Sequence, residues 1–278
     1  RISKEFTCRI NLVCKSGLSG TAIIKAINTF AIPVLTYSFG IVKWSYTDLE
    51  TMQRKIRTVL TRHRYHHPKA AVERTVLPRH EGGRGITDIT NLHDCQVMKM
   101  RRYFHEKKDK CKLIAAIVQA DNGLTPLKLR EVHDELPEMI QQRKDDCRNK
   151  WRGKAIHGKF AAELSREYVD QTKSHEWLKK SGIFPETEGF IFAIQDQVIP
   201  TRNHRRVILK ENIQDKCRRC GSKGETIQHI LNGCSELVAQ AYKDRHDAVG
   251  KILHLELKKR ICGLQNDDTR YYEYSPEA

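Results

Sequence analysis

Apolar residues recur at helical spacing through most of the chain, and no stretch of any length alternates as a half-buried strand would. The pattern predicts a mainly α fold. Over residues 19–41, Ile23, Ile24, Ile27 and Phe30 fall on one helical face, and Pro33 is expected to kink or break the run. Thr47-Asp48-Leu49-Glu50 reads as a capping box. It would open a helix with Leu49, Met52, Ile56, Val59 and Leu60 inside and Arg54, Lys55, Arg57 and Arg62 outside. Thr87 or Asp88 is read as the cap of another helix, with Ile89, Leu92, Val97, Met100 and Phe104 near one side. Residues 127–147 and 154–180 read as two more. Glu186 begins a helix expected to pack Phe190, Ile191, Ile194 and Val198 inward, ended by Pro200, and Ser235 is read as the cap of a long final helix. The breaks at 121–126 and 182–185 suggest a helical bundle over 1–120, a helical linker over 121–185, a third segment over 186–262 and a closing stretch over 263–278.

Charge narrows the partners. Lys and Arg number 50 against 34 Asp and Glu, a formal net charge of +16. The excess is spread along the chain rather than held in one tail, which points to a polyanion, nucleic acid first. Mean hydropathy is −0.61 and no apolar run approaches a spanning length, so no membrane partner is expected.

One short stretch carries recognisable chemistry. Cys217, Cys220, His229 and Cys234 form Cys-x2-Cys-x8-His-x4-Cys, with Gly221 after the first pair to permit a tight turn. A helical run from Glu225 would present His229, and Asn232-Gly233 would return Cys234 to the same point. Three thiolates and an imidazole close a tetrahedron with no position left for water, so one structural zinc ion is the expected cofactor. The odd count of nine cysteines and the lack of an apolar signal segment favour a reducing compartment, nuclear and cytoplasmic, over disulfide pairing.

Thr201, Arg202, Arg205 and Arg206 lead into this knuckle, and Arg218, Arg219 and Lys223 lie on it; together with Arg54, Lys55, Arg57, Arg62, Arg64 and Arg84 they are the candidate phosphate contacts. The turn Gly82-Gly83-Arg84-Gly85 reads as flexible, with an exposed guanidinium and no Lys-Ser/Thr of a P-loop. The histidines of 63–67 are read as surface or phosphate-contacting. Trp151 sits in a basic segment but is read as core. Asp145-Asp146 reads as a solvated pair, and no catalytic constellation emerges.

The order of segments resembles one family. Asn28 to Tyr37, Leu77-Pro-Arg-His-Glu-Gly-Gly-Arg-Gly85, Glu186-Thr-Glu-Gly-Phe190 with Gln195-Asp-Gln197 and Thr201-Arg202, the Cys-Cys-His-Cys knuckle and Tyr242-Lys-Asp-Arg-His-Asp247 are similar to segments of non-LTR (LINE-type) retrotransposon polyproteins of the restriction-like-endonuclease class. The resemblance covers about 19–260. It implies a thumb up to about residue 110, then a linker and a zinc knuckle, lying between a reverse transcriptase palm and an endonuclease. It further implies binding of template RNA, primer and target DNA during target-primed reverse transcription. The family's polymerase aspartates and endonuclease residues have no counterparts here. Arg1 is not an initiator methionine, and the sequence reads as part of something longer. The rival expectations are a free-standing, domesticated zinc module that binds nucleic acid or protein without catalysis, and a knuckle that only staples a helical scaffold.

Overall fold

The computed structural model describes residues 1–130, 136–180, 182–261, 270, 273 and 274, with the side chains of Leu136 and Pro137 set aside. The fold is mainly helical; a single isolated antiparallel bridge, between Lys216 and Gly224, is the only β pairing among the described residues. The chain divides into two compact units, 1–198 and 199–278.

In the first unit, α1 (Ile2–Cys14), α2 (Gly20–Ala26), a π turn (Ile27–Ala31), α3 (Pro33–Thr36) and α4 (Tyr46–Arg62) surround the largest apolar core. Leu49, Met52, Ile56, Val59 and Leu60 of α4 are all buried, as their spacing predicts. The capping box is shifted from the expected position: the Ser45 side chain accepts from the Asp48 amide and the Asp48 carboxylate accepts from the Ser45 amide. The π turn explains a second difference. Its extra residue rotates the apolar face, so Phe30 is turned out to 60% exposure while Ala31, Ile32 and Leu35 take the core positions. Pro33 then begins α3, where its missing N–H costs nothing.

The unit continues through α5 (Glu73–Val76), a 3-10 turn (Arg79–Glu81), α6 (Ile89–Lys107), α7 (Lys112–Ala120) and α8 (Leu136–Arg152). Asp88 caps α6 by accepting from the Asn91 amide. The stretch after α7 packs back on α6. Asp121 is buried and accepts from the Leu129 amide at 2.6 Å, and Leu127 and Leu129 pack on Val97 of α6. The single helix expected over 154–180 is three short ones, α9 (Lys159–Leu164), α10 (Gln171–Ser174) and α11 (Trp177–Lys180).

Last in this unit is α12 (Pro185–Gln195), whose inner face matches the hydrophobic expectation only in part: Val198, just beyond it, is buried and Ile191 and Ile194 are half-buried. Phe190 is 56% exposed, while Glu188, Phe192, Ala193 and Asp196 are buried. The carboxylates are inside because two buried arginines and the half-buried Arg79 meet them. Arg74 donates to Asp196 at 2.8 Å, to Gln195 at 2.6 Å and to the Gly82 carbonyl at 2.9 Å, while its planar face lies 4.1 Å from the Phe192 centroid and 5.0 Å from that of Trp151. Glu188 takes Arg79 at 2.5 Å and Arg84 at 3.5 Å. Trp151 is therefore core, stacked on a guanidinium. Gly83 closes the arginine loop by close approach: a Cβ there would lie 2.0 Å from the Leu77 carbonyl oxygen. α12 is built into this network and belongs to the first unit, which runs to residue 198.

The second unit holds α13 (Arg202–Val207), a loop hairpin over 215–225, α14 (Ile227–Asn232), α15 (Ser235–Leu237), a π turn (Val238–Tyr242) and α16 (Lys243–Ile261). Val238, Val249, Ile252 and Leu253 are exposed, and Leu255 is the buried position of α16. Of the closing stretch 263–278, only Arg270, Glu273 and Tyr274 are among the described residues.

Candidate metal centre and basic surroundings

The hairpin of the second unit is pinned by two backbone bonds, Cys217 N–H to the Lys223 carbonyl at 2.8 Å and Glu225 N–H to the Asp215 carbonyl at 2.7 Å. This turn carries Cys217 and Cys220, and Gly221 completes it at φ +68°. Thr226 then caps α14 by accepting from the His229 amide at 3.0 Å, so α14 starts at Ile227 and His229 sits in its first turn. Cys234 follows directly as the cap residue of α15.

These three elements bring four donors together. The sulfurs of Cys217, Cys220 and Cys234 and a ring nitrogen of His229 all lie within 4.8 Å of one another. Cys217 and Cys234 sulfurs are 3.9 Å apart, and the Cys220 sulfur is 3.3 Å from His229 Nε2. A tetrahedral site with Zn–S of about 2.3 Å and Zn–N of about 2.0 Å has S–S edges of about 3.8 Å and S–N edges of about 3.5 Å. The donors thus fit one tetrahedral ion of that size, while 3.9 Å is far beyond an S–S bond of about 2.05 Å.

The electrostatics suit a cation. The Ser222 hydroxyl, with the amides of Ser222 and Lys223, pulls the Cys220 thiol down to about 5, so it is a thiolate at neutral pH. Burial raises the Cys234 thiol, and its hydrogen bond to Cys217 adds to this. Crowded sulfurs that resist ionising together are what a divalent ion relieves.

Two residues that the spacing did not single out hold the centre. Glu225 is buried and accepts from the Arg202 amide at 3.0 Å, the Arg218 amide at 2.9 Å and the Arg218 guanidinium at 2.8 and 2.9 Å. Those bonds outweigh its burial and pull its carboxyl down to about 2. The Tyr242 hydroxyl accepts from the Cys234 amide at 3.1 Å and donates to the Ile230 carbonyl at 2.8 Å. An acid between the ligands of a strongly basic stretch, and a tyrosine in the motif over 242–247, were the available signals.

The candidate phosphate contacts divide into three groups. Arg54, Arg62, Arg64, Arg219 and Lys223 are exposed. On α4 the cations do not form one stripe: Arg54 and half-buried Arg57 border one cavity with Arg143 and Lys150, while Lys55 and Arg62 border another with Ser3 and Lys4, where Lys55 donates to the Ser3 hydroxyl. A second group is already paired within the second unit: Arg205 with Glu211 at 2.6 Å, Arg206 with Asp215 at 3.0 Å, and Arg218 with Glu225 at 2.8 Å; Arg202 donates to the Lys216 carbonyl at 3.2 Å. The third group is corrected. Arg84 is not an exposed guanidinium on a flexible turn but is 1% exposed, held by Glu188 and the Phe192 ring; Thr201 is 3% exposed, and its hydroxyl caps α13 by accepting from the His204 amide. His66 is likewise buried rather than on the surface. No helix among the described residues is long and apolar enough to cross a membrane.

Comparison of the chain with protein-family models and with curated proteins gave no match.

Proposed function

We propose that this chain is the nucleic-acid-handling part of a non-LTR retrotransposon reverse transcriptase, with a thumb-like bundle, a linker and a structural zinc knuckle, holding template RNA, primer and target DNA. The observation that carries the reading is the four-donor cluster, built into a chain of net charge +16 with guanidinium and ammonium groups exposed around it. The order of sequence motifs supplies the family. The reading requires the upstream palm and downstream endonuclease as partners for catalysis, since this chain's own residues bind and position rather than react.

The zinc would be held by Cys217, Cys220, His229 and Cys234 and would supply folding energy to the second unit. Of its candidate phosphate contacts, Arg219 and Lys223 are exposed and have no ion-pair partner among the described residues. The ion pairs of Arg205, Arg206 and Arg218 favour a scaffolding share for those residues, so the staple role and the contact role coexist in one module.

The test is metal content with oligonucleotide affinity. We expect one zinc per chain. Arg219→Ala with Lys223→Ala should weaken binding of a labelled RNA–DNA hybrid several-fold while the zinc content holds. Zinc retained with affinity unchanged would assign the knuckle to scaffolding alone, and a chain with no bound metal would remove the knuckle from the account.

A further inference from the structure

A groove of about 890 Å³ opens in the first unit, within the roughly 300–1,000 Å³ usual for ligand sites. One wall is α2 and the π turn, another is the arginine loop and the start of α6, and the third is α8. The wall material is largely apolar, including Ile24, Leu77, Pro78, Ile86, Leu92 and Ile140. Charge along it is uneven. Six cations, Lys25, Arg79, Arg84, Arg143, Lys144 and Arg148, line it against two acids, Glu81 and Asp88.

Several of these cations are satisfied elsewhere. Arg143 pairs with Asp94, and Arg148 with Glu81 and Asp145. Lys25 and Lys144 are exposed and have no ion-pair partner among the described residues. Arg79 and Arg84 have only Glu188 between them as an anionic partner, and Arg79 Nε, Arg84 Nε and Arg84 Nη2 are buried without a hydrogen-bond acceptor. A buried donor without an acceptor is costly, and more so when it is charged. The groove therefore has an excess of buried positive charge at one place and free lysines at its exposed side.

We propose that this groove holds a single-stranded nucleic-acid segment, its phosphates taken by Lys25 and Lys144 at the exposed side and drawn in by the under-compensated buried charge of Arg79 and Arg84, its bases laid on the apolar wall. This rests on the nucleic-acid reading above and adds a place and a strand state to it. A duplex keeps its bases stacked inside and has no use for an apolar wall; an unpaired strand does. The apolar wall also separates this groove from a plain anion site, which needs no such surface. Both Arg79 and Arg84 are held in register by α12, so Glu188 fixes the floor of the groove as well as the core.

The test uses the full zinc-loaded chain and a short fluorescein-labelled oligouridylate, read by anisotropy across a salt series. Lys25→Glu with Lys144→Glu changes two exposed side chains, so the helical circular dichroism should not move. The expected result is a loss of affinity of about tenfold or more at low salt and a salt slope smaller by about 2. Photocrosslinking of a 4-thiouridine version should label peptides from 76–92 or 140–148. Excess uridine monophosphate or inorganic phosphate should compete weakly; full displacement by inorganic phosphate would reduce the site to a simple anion site and overturn the strand. Wild-type binding that the double variant leaves unchanged, or crosslinks confined to other segments, would overturn the groove while leaving the broader function standing. A wild-type chain that binds neither oligouridylate nor hybrid would remove both.

Discussion

Replacing Asp196 by Ala tests the claim that the first unit is organised by buried charge. Asp196 is fully buried and accepts from Arg74 at 2.8 Å and from the Ala71 amide at 2.8 Å. Arg74, itself 1% exposed, would keep its charge with no counter-ion. Removing one partner of a buried pair costs about 3–5 kcal/mol, and the orphaned Ala71 amide adds to that without being independent of it. A net loss of about 4 kcal/mol is expected. With an m value of roughly 2.5 kcal/mol/M in urea, the midpoint should fall by about 1.6 M. Tryptophan fluorescence reads this unit alone, because Trp44, Trp151 and Trp177 all lie in it, Trp151 being 5.0 Å from Arg74. The double variant Arg74→Leu with Asp196→Ala should lose much less than the sum of the single changes, since neither charge is then stranded. A midpoint shift below about 0.4 M, or strictly additive losses, would show that the pair is not the buried contact described.

Three further outcomes follow from particular residues. Gly83→Ala should destabilise the first unit by several kcal/mol in the same urea assay, since its Cβ would meet the Leu77 carbonyl at 2.0 Å and backbone cannot step aside cheaply; unchanged stability would mean the loop is not packed as described. His66 should make this unit acid-sensitive. Burial, with Arg84 and Arg57 nearby, pushes its pKa down to about 3, so above about pH 6.5 the folded and unfolded chains both carry it neutral, and as pH falls from there toward 3 only the unfolded chain gains the proton. About 2 kcal/mol of stability should therefore be lost between pH 7 and 5, and His66→Asn should remove most of that slope; an unchanged slope in the variant would place the acid sensitivity elsewhere. Chelation, or Cys234→Ser, should lower far-UV helicity through the second unit while the tryptophan signal of the first unit holds, with apparent zinc binding of about 10–16 kcal/mol at stake; helicity insensitive to chelator would rule out a structural metal.

What the sequence made legible follows from how local each signal is. The four donors lie within eighteen residues, and chemistry alone limits what such a set does, so their convergence was readable before any geometry. The inner face of α4 was readable because every buried position on it is apolar. Neither condition holds for α12. Glu188 and Asp196 are buried only because Arg79, Arg84 and Arg74 meet them from more than a hundred residues away, so a hydrophobicity pattern misplaces part of that helix's inner face and leaves Phe190 inside. Similarly, Arg84 reads as a surface cation when its glycine neighbours are taken as flexibility, whereas Gly83 is there for close packing. The π turn at Ile27–Ala31 shifts the face by one residue, a change no regular period contains. The ion pairs of Arg205, Arg206 and Arg218 needed the fold of the segment over 199–225 to show which acids lie beside them.

The central claim, a zinc-bearing module that grips nucleic acid through phosphates, is tested most directly by the salt dependence of its affinity for a labelled RNA–DNA hybrid. The account predicts that the zinc-loaded chain binds, and that the logarithm of its affinity falls linearly with the logarithm of salt concentration with a slope of several units, little altered when the hybrid's sequence is scrambled. Failure to bind, or an affinity that does not respond to salt, would contradict it.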